Sequence, residues 1–116
     1  MPTLGLRHLS LKTGDLEKTI QFYTEVLGLK IAFRVPPKRV FLKTGDEDDL
    51  LDFVKTTEKI PASHGLDHLG FRVTSKSLKQ IEKRLNEHHV KIEGRRGKSN
   101  LYFRDPNGYV VEFYCD

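Results

Sequence analysis

Residues 65–73, GLDHLGFRV, alternate with period two: Asp67, Leu69, Phe71 and Val73 fall on one side, and Leu66, His68, Gly70 and Arg72 on the other. This is the pattern of a strand with one wet face, and the wet face carries a histidine. The same pattern occurs earlier. Placing residues 6–11 (LRHLSL) over 66–71 (LDHLGF) brings His8 onto His68 at a shift of about sixty residues. The shift also carries 50–54 onto 110–114, with Asp52 over Glu112, and, after a slip of one residue, 29–31 onto 90–92. An internal repeat fixes architecture more firmly than local propensity does.

Each half shows the same order of elements. After the first strand, Leu16, Ile20, Tyr23 and Leu27 recur at helical spacing, with Asp15 as N-cap and Gly28 as the stop. Strands follow at 29–34, 39–43 and 49–55, separated by Pro36-Pro37 and by the turn 45–48. In the second half, Ser77 with Gln80 three residues on has the form of a capping box, and Leu78, Ile81 and Leu85 form the apolar stripe. Strands are expected at 90–93 and 99–104, and the turn Asp105-Pro106-Asn107-Gly108 leads into a last strand at 109–115. The predicted fold is α+β: two tandem βαβββ modules, about 4–56 and 64–115, forming curved mixed sheets with the helices outside, in one domain over 1–116.

Composition agrees with a globular chain of this size. Charged residues make up 31% and hydrophobic ones 37% of 116 residues, too apolar for disorder. The net charge of +4 is mild and the basic residues are scattered among acids, so nucleic acid is not an expected partner. Cys115 is the only cysteine, which rules out an intrachain disulfide. With no apolar leader at the N-terminus and no run of membrane-spanning length, the expected location is cytoplasmic, away from any membrane.

His8 shares its face with Ser10 and Lys12, while Leu9 and Leu11 take the other side. On the last strand of each half a carboxylate interrupts an apolar face: Asp52 between Leu50 and Val54, Glu112 between Val110 and Tyr114. Such a carboxylate costs several kcal/mol when desolvated without a partner. A lone strand histidine is usually a packed side chain. Here histidine and carboxylate recur together on equivalent strands, and one divalent cation bound by His8, His68, Glu112 and Asp52 would satisfy them all. That ligand set suits Fe, Mn, Ni, Co or Zn better than Mg or Ca.

The paired modules, the LRHLSL and LDHLGF strands, the helix end FYTEVLGLK (residues 22–30) and the closing YFRDPNGYVVEFY (102–114) resemble the vicinal oxygen chelate superfamily. That group includes glyoxalase I, fosfomycin-modifying enzymes, bleomycin-binding resistance proteins, methylmalonyl-CoA epimerase and extradiol dioxygenases. The resemblance implies metal ligands at His8, His68 and Glu112, with Asp52 where glyoxalase I has a fourth, glutamate ligand. It implies one divalent ion per site, chelating two adjacent oxygens of a small-molecule substrate, and a homodimer. In a glyoxalase-like reaction Glu112 is both ligand and base, and Ser10, where fosfomycin transferases carry threonine, touches a substrate oxygen.

Three activities follow from that resemblance. The first is a metal-dependent lyase, isomerase or transferase; the second, a metal-free antibiotic-binding resistance protein; the third, a ring-cleaving dioxygenase. The sequence stops four residues after Glu112, with no extension for the substrate-binding arginine expected in thiol transferases, which sets that branch lower. The loop GRRGKS (94–99) lacks the spacing of a phosphate loop, though Arg95, Arg96 and Lys98 are placed to hold an anionic substrate tail. His88 and His89 read as a helix C-terminus, His64 as a loop residue, and Cys115 as lying on the face opposite Glu112.

Overall fold

In the computed structural model, which describes residues 3–45, 48–60 and 65–115, the chain divides into two units, Met1–Ile60 and Pro61–Asp116, each with its own small sheet. The first unit runs β1 (His8–Thr13), α1 (Leu16–Gln21), β2 (Lys30–Val35), β3 (Arg39–Lys43) and β4 (Leu50–Lys55). Asp15 caps α1 as expected, its carboxylate accepting from the Lys18 amide. The last turn widens into a π-helical segment at Phe22–Val26. Gly28, at φ 80°, then reverses the chain, and the Leu29 amide closes back on the Tyr23 carbonyl.

The first sheet has the order β1-β4-β3-β2, with β1 parallel to β4 and the other pairs antiparallel. Leu11, Val40, Leu42, Leu51 and Phe53 are buried on the face that α1 covers. There Tyr23 packs on Phe53 with ring centroids 5.0 Å apart. The opposite face presents His8, Ser10, Arg39, Phe41 and Asp52. Leu6, expected in the first strand, lies before it and is exposed.

The second unit runs β5 (Leu69–Arg72), α2 (Ser75–Glu87), β6 (Asn100–Arg104) and β7 (Val110–Tyr114), in the sheet order β5-β7-β6. Here the strand expected at 90–93 is reduced to a single bridge between Gly94 and Tyr102. Lys91 and Glu93 are exposed and Ile92 only half-buried, so this segment contributes little apolar surface to hold a ladder. The helix start also differs from expectation. Thr74, not Ser77, is the N-cap: its hydroxyl accepts from the Ser77 amide, which makes Ser77 the third residue of the helix. Leu78, Ile81 and Leu85 are buried as their spacing predicts.

Helix α2 ends in a motif that specifies a mutation. The Val90 amide donates to the Leu85 carbonyl and the His89 amide to that of Asn86, the two bonds of a Schellman closure, with His89 at φ 58°. Glycine adopts that left-handed conformation without steric penalty. His89→Gly is expected to raise unfolding free energy by about 0.5–1 kcal/mol, read as a higher urea midpoint at unchanged slope. A lower midpoint would show that the imidazole holds this end by another contact.

Candidate metal centre

In the second unit the strand pairing sets Gly70 and Tyr102 on either side of Glu112, so all three share one face of the sheet. Residue 68 falls on that face by alternation, one residue before β5 begins. His68 Nε2 lies 3.1 Å from Glu112 Oε1. Each group is held from behind: His68 Nδ1 is 2.6 Å from Asp67 Oδ2, and Asn100 Nδ2 donates to Glu112 Oε2 at 3.0 Å. Asn100 is fixed in turn by the Arg96 amide, which donates to its Oδ1 at 2.6 Å. The atoms left facing one another are therefore one imidazole nitrogen and one carboxylate oxygen. A Cβ added at Gly70 would stand 3.6 Å from Glu112 Oε1, so the glycine keeps that side open.

Burial alone would raise the Glu112 carboxyl, but hydrogen bonds from Asn100 and Tyr102 and the charge of His68 outweigh it and hold it below the usual carboxylate range. His68 is raised, first by its bond to Asp67 and further by Glu112, against a smaller opposing effect of burial. The two shifts have opposite consequences for the metal-free protein. Glu112 contributes stability above its ordinary value of 4.5 that is lost as pH falls; His68 contributes stability below 6.5 that is lost as pH rises through its folded value. The pair is thus strongest between about pH 4.5 and 6.5. Metal-free protein should lose part of this contribution, under about 1 kcal/mol, between pH 5.5 and 8 in urea titrations. Asp67→Asn should flatten the profile most and Glu112→Gln less, in the order of their effects on His68, and a profile unchanged in both would mean that these contacts do not contribute.

A cavity of about 390 Å³ opens beside Glu112, lined by Arg96, Ser99, Asn100, Glu112, Tyr114 and Cys115. Cys115 also borders this space, although its amide donates to the Ser99 carbonyl and so continues the β6–β7 pairing by one residue. Of the three loop cations, Arg95 pairs with Glu82 on α2, whereas Arg96 lines the cavity and donates to the Tyr102 hydroxyl at 3.1 Å. His88 caps α2. His64 lies outside the described residues, as do two residues of the turn expected at 45–48.

In the first unit Ser10 and Asp52 are cross-strand partners on the open face. Asp52 has no exposed surface, and its Oδ1 accepts from Ser10 Oγ at 2.6 Å and from Arg39 Nη1 at 2.7 Å. Its Oδ2 is buried without a hydrogen-bond partner. The Ser10 hydroxyl proton is thereby committed to Asp52. His8 is exposed on the same face and meets the edge of the Phe41 ring, with centroids 6.1 Å apart. The structure thus joins His68 to Glu112, and Ser10 to Asp52. Among the described residues no group of three histidine, cysteine or acidic side chains is arranged to hold a metal ion.

Asp67, Asn100 and Arg39 were not singled out by the sequence. Asn100 was legible by alternation, two residues before Tyr102 on a strand opposite Glu112. Arg39 needed the β3–β4 register.

The donor set fits a first-row divalent ion. Nitrogen and oxygen ligands at 2.0–2.2 Å from one ion stand roughly 3 Å apart, which is the spacing of His68 Nε2 and Glu112 Oε1. A carboxylate behind the other imidazole nitrogen is the usual outer support of a metal-bound histidine.

Sequence comparison matches residues 5–113 to the Glyoxalase/Bleomycin resistance protein/Dioxygenase superfamily. The chain belongs to that superfamily. It is 28% identical to glutathione transferase FosA of Serratia marcescens, over 95% of this chain and 79% of that protein. It is 27% identical to metallothiol transferase FosB of Staphylococcus epidermidis, over 98% and 83%. Integron cassette protein HFX_CASS4, from the mobile metagenome of a Halifax Harbour sewage outfall, superposes with TM-score 0.81 at 28% identity, covering 98% of this chain and all of that one. The α+β class expected from the repeat and the superfamily that the sequence resembles are therefore those found. No helix among the described residues is long and apolar enough to cross a membrane.

Proposed function

We propose that the chain is a metal-dependent enzyme acting on a small molecule that presents two neighbouring oxygens, with His68, Glu112 and His8 holding one divalent ion. The observation carrying this reading is the pair His68 Nε2 and Glu112 Oε1, each supported from behind, by Asp67 and by Asn100. Bound there, Fe, Mn, Ni, Co or Zn would act as a Lewis acid for charge developing on the substrate oxygens.

The remaining chemistry belongs to the chain. Asp67 holds the His68 ring through Nδ1, and Asn100 holds Glu112 through Oε2, leaving Oε1, which faces His68 Nε2, as the oxygen to accept a substrate proton. The Tyr102 hydroxyl and Arg96 stand beside Glu112 as donors to an anionic intermediate. Relatives named as glutathione and metallothiol transferases bring group transfer level with the lyase and isomerase readings. The active form is proposed to be a cytoplasmic homodimer. Asp52 is assigned to its ion pair with Arg39, outside the ligand set.

Elemental analysis after chelator-free purification, followed by titration with each ion, tests the reading. Uptake near one ion per chain supports it. No uptake of Fe, Mn, Ni, Co or Zn at high micromolar concentration overturns it in favour of metal-free antibiotic sequestration. Oxygen uptake with catechols would point to the dioxygenase branch.

A further inference from the structure

The open face of the first sheet carries residues that metal binding leaves unused. Phe41 lies opposite Asp52 across β3 and β4, and Phe33 lies opposite Phe41 across β2 and β3. The two phenyl rings stack, with centroids 4.5 Å apart and planes at 20°, yet Phe33 remains 48% exposed. A stacked aromatic pair left half in water is an apolar platform next to His8. Beside it, Arg39 uses one nitrogen, Nη1, to donate to both Asp52 Oδ1 and Ser10 Oγ. Its Nε and Nη2 have no partner among the described residues.

The electrostatics of this face favour an anion. By strand alternation Lys12, Arg39 and Lys43 share it; Lys12 stands 3.8 Å from Glu58 and Arg39 pairs with the buried Asp52, which leaves the face net basic. Arg39 is anchored through Nη1 to a carboxylate with no exposed surface while its own side chain is 36% exposed, so the Nε–Nη2 edge of the fork is available to a ligand. A planar fork of two N–H groups matches an oxyanion with two oxygens, and the adjacent rings match a flat apolar body.

We propose that this face binds a planar aromatic acid, with the ring lying on Phe33 and Phe41 and the anionic group taking Nε and Nη2 of Arg39. The proposal stands on the first unit alone, and rests on the reading above only in making His8 a metal ligand beside the platform.

The test is calorimetric titration of the full chain with 2-naphthoate, 2-naphthamide and acetate, with and without Zn²⁺. Naphthoate is expected to bind at least about tenfold tighter than either comparator, since it alone supplies both ring and charge. Phe33→Ser, at a half-exposed position that folding tolerates, should weaken naphthoate at least about fivefold. The double variant Arg39→Gln with Asp52→Asn removes both charges together and should erase the preference for acid over amide. Equal binding of acid and amide by the wild type, or unchanged naphthoate affinity in Phe33→Ser, overturns the inference. So does a Phe33→Ser variant that dissociates a dimer yet binds naphthoate normally, which would make the platform a subunit interface. Metal uptake separates the two readings. Zn²⁺ bound without naphthoate overturns this inference alone, and naphthoate bound by protein that takes up none of Fe, Mn, Ni, Co or Zn supports it while overturning the metal reading.

Discussion

Glu112→Ala is expected to lower affinity for the divalent ion by at least about a hundredfold. Loss of an outer support typically costs 10–100-fold, and Glu112 supplies the charged donor itself. Asn100→Ala should fall in the lower range, because it leaves the carboxylate in place but frees it to rotate away from His68. Asp52→Asn should leave metal affinity nearly unchanged, since that side chain faces Arg39 and Ser10. The three titrations form an ordered series, read by metal uptake rather than turnover. If Glu112→Ala binds metal as the wild type does, the ion sits elsewhere.

Arg39→Gln is expected to destabilise the protein by about 3 kcal/mol, the largest single effect on folding anticipated away from the hydrophobic core. Asp52 is completely buried, and one of its oxygens already lacks a partner. Removing the guanidinium leaves that charge with only the Ser10 hydroxyl. The value sits at the low end for a broken buried pair because the Arg39 side chain is 36% exposed and water can replace part of the lost interaction. Adding Asp52→Asn to Arg39→Gln should recover most of the loss, bringing the double variant within about 1 kcal/mol of wild type. Urea denaturation of the two single variants and the double variant closes the cycle. Additive losses would mean that the ion pair contributes nothing to stability.

The residues themselves determined the outline. Period-two alternation around His8 and His68, the helical stripes at Leu16 and Ile20 and at Leu78, Ile81 and Leu85, and the recurrence of a carboxylate on the last strand of each half were enough for a repeated α+β fold with histidine and carboxylate on one sheet face. They sufficed because burial periodicity and turn chemistry are written locally: Asp15 caps its helix and Gly28 ends it within a few residues of chain. The Schellman closure at His89 was half legible in the same way.

What the tertiary structure decided was which polar groups meet. Asp52 and Glu112 are equivalent in the repeat, yet the fold gives them different partners. Glu112 faces an imidazole and an amide, whereas Asp52 is neutralised by Arg39, thirteen residues away along the chain and brought there by the β3–β4 register. Alternation assigns a side chain to a face but cannot say which neighbour it finds on that face. A register shift of one residue would move every side chain of β3 to the other face of the sheet and leave Asp52 without a counter-ion. The strand lost at 90–93 has the same origin: its pattern was adequate, but a ladder also needs an apolar partner surface, and only the pairing of Gly94 with Tyr102 supplied one contact. Sequence thus specified the faces and the kinds of group on them, while the strand register, a long-range property, settled which partners each carboxylate meets.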